Sequence, residues 1–371
     1  MTRRQPQVRL RTVADSKRDL GEARHAQVLE ALSAVLDPDL GKDVVSLGFI
    51  ENLTVDGDKV SFRLVLTTPA CPMRDRLRRE CEAAVRSLPW VKNVEITLGA
   101  RVPGGIKREA LPEVKHVIAV GSGKGGVGKT TVAVNLAVAL AAEGAKTGLL
   151  DGDIYGPNVP RMLGIEREPE VAGGLIQPLR AHGVDVMSIG FLVGESMPVI
   201  WRGPLVTKAI QQFLHEVAWG ELDYLLVDLP PGTGDVQLTL TQTVEVTGAV
   251  LVATPQGVAL SDTLRGMEMF RRTGVPILGM VENMSYFACP HCGRETDVFG
   301  RGEVKRACEE RGVAFLGDIP LNAAIREGGD QGRPAALDEG PEGERFRVIA
   351  RNLAARVSVV SLQGSHEGHR P

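Results

Sequence analysis

Eleven consecutive residues, Gly121-Ser-Gly-Lys-Gly-Gly-Val-Gly-Lys-Thr-Thr131, bring together the residue types that can wrap a polyphosphate. Within them Gly123-x-x-x-x-Gly128-Lys129-Thr130 has the spacing of a phosphate-binding loop. Gly123, Gly125, Gly126 and Gly128 let the backbone from Gly123 through Val127 to Thr131 curl its N–H groups around phosphate oxygens. Lys129 supplies a charge for the β and γ phosphates, and the Thr130 hydroxyl is a ligand for Mg²⁺. The apolar run at 117–120 enters the loop and the helical run at 132–140 leaves it. A helix that starts there adds the positive end of its dipole. The chemistry implied is binding of a nucleoside triphosphate with Mg²⁺, followed by its hydrolysis.

Acids follow at the positions such a site needs. Asp151-Gly152-Asp153 comes directly after an apolar run at 148–150, so both carboxylates stand at the carboxyl edge of a sheet, where open α/β sheets hold ligands. A turn-forming acidic pair accounts for the same residues. Leu225-Leu-Val-Asp228 is an apolar strand ending in an acid that can hold a metal-bound water. Pro230-Pro-Gly-Thr-Gly-Asp235 comes next, with Gly232 small enough to approach a γ-phosphate. None of these groups is an obvious strong base, so hydrolysis rests on positioning and charge neutralisation and is slow. The chain has no Asn-Lys-x-Asp, which favours ATP over a guanine nucleotide.

Cys289-Pro-His-Cys292 is a second chemical centre. A C-x-x-C pair sets two soft thiolates on one side of a turn, suited to iron-sulfur or zinc. One pair is half of a four-coordinate site, and a symmetry mate can supply the other half. An incidental loop pair, a redox motif, or half of a zinc knuckle with His291 as a further ligand are alternative readings.

The elements that position these residues are legible as a pattern. Continuous apolar runs at 117–120, 148–150, 184–189, 224–227, 249–253, 277–281 and 314–319 alternate with helical segments, the signature of a parallel sheet covered on both faces. A small α+β unit precedes it: a helix at 26–36, the turn Asp37-Pro38-Asp39, a hairpin at 50–55 and 60–66 around Asp56-Gly57-Asp58, an Arg-rich helix from Cys71-Pro72 to about 87, and a strand at 91–98. The expected divisions are a disordered segment 1–25, the α+β domain 26–100, a linker 101–113, an α/β P-loop domain 114–360 and a disordered tail 361–371. Residues 345–360 form a basic amphipathic helix that either packs on the sheet or lies on a membrane surface.

A formal net charge of -3 gives no global attraction to nucleic acid or an anionic membrane. No secretory signal or spanning run is recognisable. Five scattered cysteines argue for reduced thiols in a cytosol rather than a disulfide framework. Cys81 and Cys308 fall on helical stretches and read as core residues.

The loop Gly-Lys-Gly-Gly-Val-Gly-Lys-Thr-Thr resembles the deviant Walker A motif of the MinD/ParA-like ATPases. That resemblance implies a homodimer with ATP between its subunits, and Lys124 reaching the partner's nucleotide. It also assigns Asp153 to switch I near the attacking water, Asp151 to the Mg²⁺ shell, and Asn283 to the adenine, although Asn283 can equally be a turn-forming residue. Together with Asp151-Gly-Asp-Ile-Tyr-Gly-Pro-Asn, Asp228-Leu-Pro-Pro-Gly-Thr-Gly-Asp, Val-Glu-Asn-Met-Ser and Cys-Pro-His-Cys, the chain resembles the Mrp/ApbC-type iron-sulfur cluster carriers over 113–357. Asn158 and Gly152 depart from the Ser and Ala that relatives often carry, without touching the chemistry. Residues 26–99 resemble the MIP-eighteen-like domain tied to iron-sulfur assembly, through Asp37-Pro-Asp, Ser46-Leu-Gly and Thr67-Thr-Pro-Ala-Cys-Pro72. Cys71 is then either a transient cluster ligand or a buried structural cysteine.

What the resemblance implies is a cytoplasmic, homodimeric ATPase. It holds a [4Fe-4S] cluster between Cys289 and Cys292 of two subunits and exchanges it with cluster scaffold proteins and apo iron-sulfur proteins, with no nucleic-acid or membrane partner. The competing classes are a MinD/ParA-like positioning ATPase acting on membrane or DNA, and a zinc-stabilised regulatory NTPase.

Overall fold

The computed structural model describes residues 13–104, 111–153, 156–191, 203–232, 240, 244–289 and 291–367. The chain divides into two units, residues 1–66 with 73–101, and residues 67–72 with 102–371.

In the smaller unit α1 (Val13–Leu32) buries Val28 and Leu32, one turn apart on one face. It starts well before residue 26, where disorder was expected. The stretch Asp15-Ser-Lys-Arg-Asp-Leu-Gly-Glu-Ala-Arg24 has no proline and many good helix formers, so the helix propagates without apolar periodicity to announce it. It stops before 36 because the Val35 carbonyl accepts the Val44 N–H instead (3.0 Å). Asp37 then closes the expected turn, its Oδ1 accepting from the N–H groups of Asp39 and Leu40 at 2.9 and 3.0 Å. Strands β1 (Ile50–Asp56) and β2 (Lys59–Leu66) form the hairpin, Asp56 opposite Lys59. β2 buries Val60, Phe62 and Leu64 on one face. The Arg-rich helix α2 (Arg74–Arg86) buries Leu77, Cys81 and Val85 at four-residue spacing, and β3 (Asn93–Ala100) lies parallel to β2.

The larger unit is built on a sheet whose parallel strands match all seven apolar runs. β4 (Val114–Ser122) leads through the glycine loop into α3 (Lys129–Ala142). β5 (Thr147–Asp151) is followed by the short α4 (Val159–Met162), β6 (Leu179–Ala181) and β7 (Val184–Ser188). Next come α5 (Gly203–Glu216), β8 (Leu222–Asp228), β9 (Gly248–Ala253) and α6 (Gly257–Arg272). β10 (Ile277–Ala288), β11 (Glu295–Thr296), α7 (Glu303–Arg311), β12 (Phe315–Leu321), α8 (Ala323–Asp330) and α9 (Pro341–Glu367) complete it. The order across the sheet is β6-β7-β5-β8-β4-β9-β10, with β11 and β12 both pairing β10. β4 therefore lies between β8 and β9, where the winding reverses, and its carboxyl end is the topological switch point. β6 and β11 are antiparallel additions too short to give a periodic signal.

β10 runs seven residues past its expected end at 281, so Asn283 sits inside a strand, not at a turn. α9 packs on α3, β10 and β12 through Phe346, Ile349, Leu353 and Val357, the sheet-packing alternative. Two of its arginines are engaged within the protein: Arg345 with Asp318 (3.2 Å), and Arg351 with Glu143 (2.6 Å) and Glu344 (2.9 Å). α9 continues to Glu367, beyond residue 361 where a disordered tail was expected, because alanines, valines and Leu362 prolong its helix-compatible sequence. Among the described residues no helix is long and apolar enough to cross a membrane.

Candidate functional site

The glycine loop is shaped by contacts that only glycine permits. Gly128, at φ 80°, caps the N-terminus of α3. A Cβ there would lie 2.1 Å from Asn283 Nδ2, and one on Gly123 would lie 2.1 Å from the backbone carbon of Asp262. The loop is thus pressed between β10 and α6. Asn283 donates its side-chain N–H to the Val127 carbonyl (2.8 Å), a brace that local sequence does not reveal. The Gly232 N–H donates to the Ser122 carbonyl (3.0 Å), tying the segment after β8 to the loop.

Register places the acids. Ser188, Asp151 and Asp228 stand opposite one another across β7, β5 and β8, in a row at the carboxyl edge. Lys129, 5% exposed, donates to Asp228 Oδ1 at 2.6 Å and lies 3.7 Å from Asp153 Oδ2. Thr130 donates its hydroxyl to Asp228 Oδ2 at 2.7 Å. Asp151 is fully buried, and both of its oxygens accept from protein: Oδ1 from the Asp153 N–H (3.1 Å), Oδ2 from the Ser188 hydroxyl (2.9 Å) and the Val159 N–H (3.4 Å). Burial, and then the neighbouring Asp228 charge, push the Asp151 carboxyl up to about 7. Two carboxylates, Asp153 and Asp228, around one ammonium leave negative charge in excess. With a hydroxyl and carboxylates as hard oxygen donors, this set fits Mg²⁺.

Lys124, Gly125, Gly126, Gly128, Lys129, Thr130, Thr131, Asp153 and Asn283 share the lining of a cavity of about 500 Å³. Gly123, Val127, Asp151, Asp228 and Gly232 are not part of that lining. Arg161 and Met162 of α4, Asn322, and Ile325 and Arg326 of α8 also line it, and sequence reasoning missed them because their positions carry no motif. Among the described residues no carboxylate pairs with Lys124. Tyr155 and the end of the Pro230–Asp235 motif fall outside the described residues.

The cysteine pair sits on a hairpin. Where β10 ends, Ala288 pairs with Glu295 of β11, the Cys289 N–H donates to the Arg294 carbonyl (3.0 Å), and the Gly293 N–H donates back to the Cys289 carbonyl (2.8 Å). The N–H groups of His291 and Cys292, then the Cys292 thiol, bond the Cys289 sulfur and hold its thiol below the usual range. Burial instead pushes Cys81 up to about 12 and Cys308 up to about 11, so these remain thiols, as core residues should. Cys292 is exposed and Cys289 half-buried; Pro290 is outside the described residues. Among the described residues, no third His, Cys, Asp or Glu joins a group able to hold a metal, His291 included. Cys71 is half-buried, in the segment 67–72 that clusters with the larger unit, and is not part of the cavity lining.

Comparison with known proteins agrees with this fold. Residues 113–354 match the family described as NUBPL iron-transfer P-loop NTPase, and residues 25–98 match that of an iron-sulfur cluster assembly protein. An iron-sulfur cluster carrier protein of Synechocystis is 49% identical over 90% of this chain and 98% of its own length. One from Deinococcus radiodurans is 50% identical over 90% and 96%. Among solved structures, a nucleotide-binding protein of Archaeoglobus fulgidus in complex with ADP superposes with a TM-score of 0.57 at 40% identity, covering 64% of this chain and 94% of its own. The cell division ATPase MinD of Pyrococcus furiosus does so with a TM-score of 0.50 at 29% identity, over 64% and 98%.

Proposed function

Because the chain belongs to the family of NUBPL iron-transfer P-loop NTPases, we propose that it is an ATP-hydrolysing iron-sulfur cluster carrier. In this reading two copies hold a cluster, most simply [4Fe-4S], on Cys289 and Cys292 of each, and pass it to apo iron-sulfur proteins. One observation carries the reading. The single strand β10 borders the nucleotide cavity at Asn283 and Met284 and runs on directly into the cysteine hairpin.

The residues have distinct tasks. Lys129, held by Asp228, turns its ammonium to the β and γ phosphates when a triphosphate enters, and frees an Asp228 oxygen. Thr130 Oγ1 and Asp228 would hold Mg²⁺, which would neutralise phosphate charge when bound. Asp153, close to Lys129 and 16% exposed, orients the attacking water. Lys124, which no described carboxylate claims, neutralises charge on the partner subunit's nucleotide. Asn283, already bracing the loop, also meets the base in this reading. Two thiolates per chain, doubled by symmetry, make the four thiolates that iron-sulfur clusters use. None of the five cysteines is in a disulfide, which suits a reducing cytoplasm.

Anaerobic reconstitution with iron and sulfide tests the cargo. A brown protein with about four irons per dimer, lost in Cys289→Ser and Cys292→Ser, is the expected result. Stoichiometric zinc and no iron chromophore would overturn it.

A further inference from the structure

Ser188 carries no motif, yet it is fully buried at the carboxyl end of β7, directly opposite Asp151 in the parallel ladder. Its Oγ accepts the Gly190 N–H at 3.0 Å, which fixes the oxygen and leaves its one proton to be donated. That proton goes to Asp151 Oδ2 at 2.9 Å. Asp151 in turn accepts from the backbone of Asp153 at 3.1 Å and of Val159 at 3.4 Å. The direction of the Asp151 carboxylate therefore decides where the backbone of Asp153 is pinned. Asp153 is the acid whose side chain reaches the cavity beside Lys129.

We propose that Ser188 is a positioning residue for ATP hydrolysis: by orienting the Asp151 carboxylate it fixes the backbone of Asp153 and so sets Asp153 against the attacking water. The role rests on the ATPase reading above and deepens it. It also gives Asp151 a task besides the Mg²⁺ shell, since both of its oxygens already anchor protein groups. Without the hydroxyl, Asp151 keeps its two backbone donors but loses its strongest contact on Oδ2, and Asp153 loses its fixed distance from Lys129. Small displacements of a water-orienting acid reduce the rate of the chemical step more than nucleotide affinity.

The test is steady-state ATPase kinetics of the full-length protein with Ser188→Ala, Asp153→Ala and the double variant, alongside binding of a fluorescent ATP analogue with Mg²⁺. The expected result is a kcat lower by about tenfold in Ser188→Ala, with KM and analogue affinity within about twofold of the parent. In the Asp153→Ala background Ser188→Ala should have almost no further effect, because the serine acts through that acid. An unchanged kcat, a KM that rises in step with any loss, or effects that multiply in the double variant each overturn the role. A parent protein that binds the analogue but hydrolyses nothing overturns the ATPase reading and this role with it. An active parent with an indifferent Ser188→Ala removes this role alone.

Discussion

Asp151 is a carboxylate with no solvent, an acidic neighbour across the ladder, and hydrogen bonds that only partly compensate. With a folded value of about 7 against an ordinary 3.8, the folded protein holds a proton that the unfolded chain releases. This favours folding at acid pH, and the advantage is lost as pH rises from 4 through 7. Asp151→Asn removes that loss. The melting temperature of the variant should exceed the parent's by more at pH 8 than at pH 5, even as ATPase activity falls. A gap that stays constant across that range would show that Asp151 is ionised throughout. At this scale the sequence reveals what is contiguous. Gly123 to Thr131 needs no tertiary knowledge, whereas the bonds from Ser188 to Asp151 and from Asn283 to Val127 span 37 and 156 residues and arise only from tertiary packing.

β10 is the element that local sequence under-reads most. Its apolar run ends at Val281, and Glu282-Asn283-Met284, with Met284 at φ 56°, has the look of a turn. The strand persists because each polar side chain has a tertiary partner. Asn283 braces the Val127 carbonyl, and Glu282, 1% exposed, accepts from the N–H groups of Gly302 and Val304 (2.9 Å each), a carboxylate at the N-terminus of α7. The two residues therefore serve opposite ends of the strand's function. Asn283→Ala leaves a buried carbonyl without its donor, a cost of about 1–3 kcal/mol, and should raise the KM for ATP together with a lower melting temperature. Glu282→Gln should lower the melting temperature while leaving that KM near the parent value. If Asn283→Ala binds ATP as the parent does, the brace is not part of the nucleotide site.

Across the whole molecule the division into an α+β unit and a P-loop unit is readable from where the hydrophobic period changes, because burial on one face or on two leaves a different pattern in each. What no single-chain pattern carries is the completion of a site by a second copy. Lys124 lines the cavity without a carboxylate partner among the described residues, and Cys289 and Cys292 have no third ligand group there. In the proposed reading one isologous dimer completes both centres, each from the other subunit. Mixed dimers separate the two. A tagged subunit with Cys289→Ser and Cys292→Ser, paired with an unaltered one, should hydrolyse ATP at close to the parental rate but retain no cluster, since two thiolates remain where four are needed. A tagged Lys124→Ala subunit paired with an unaltered one should keep its cluster and lose about half of its ATPase activity, because one of its two nucleotides lacks the crossing charge. A mixed dimer that keeps a full cluster on one cysteine pair would place the cargo within a single chain and remove the need for the second.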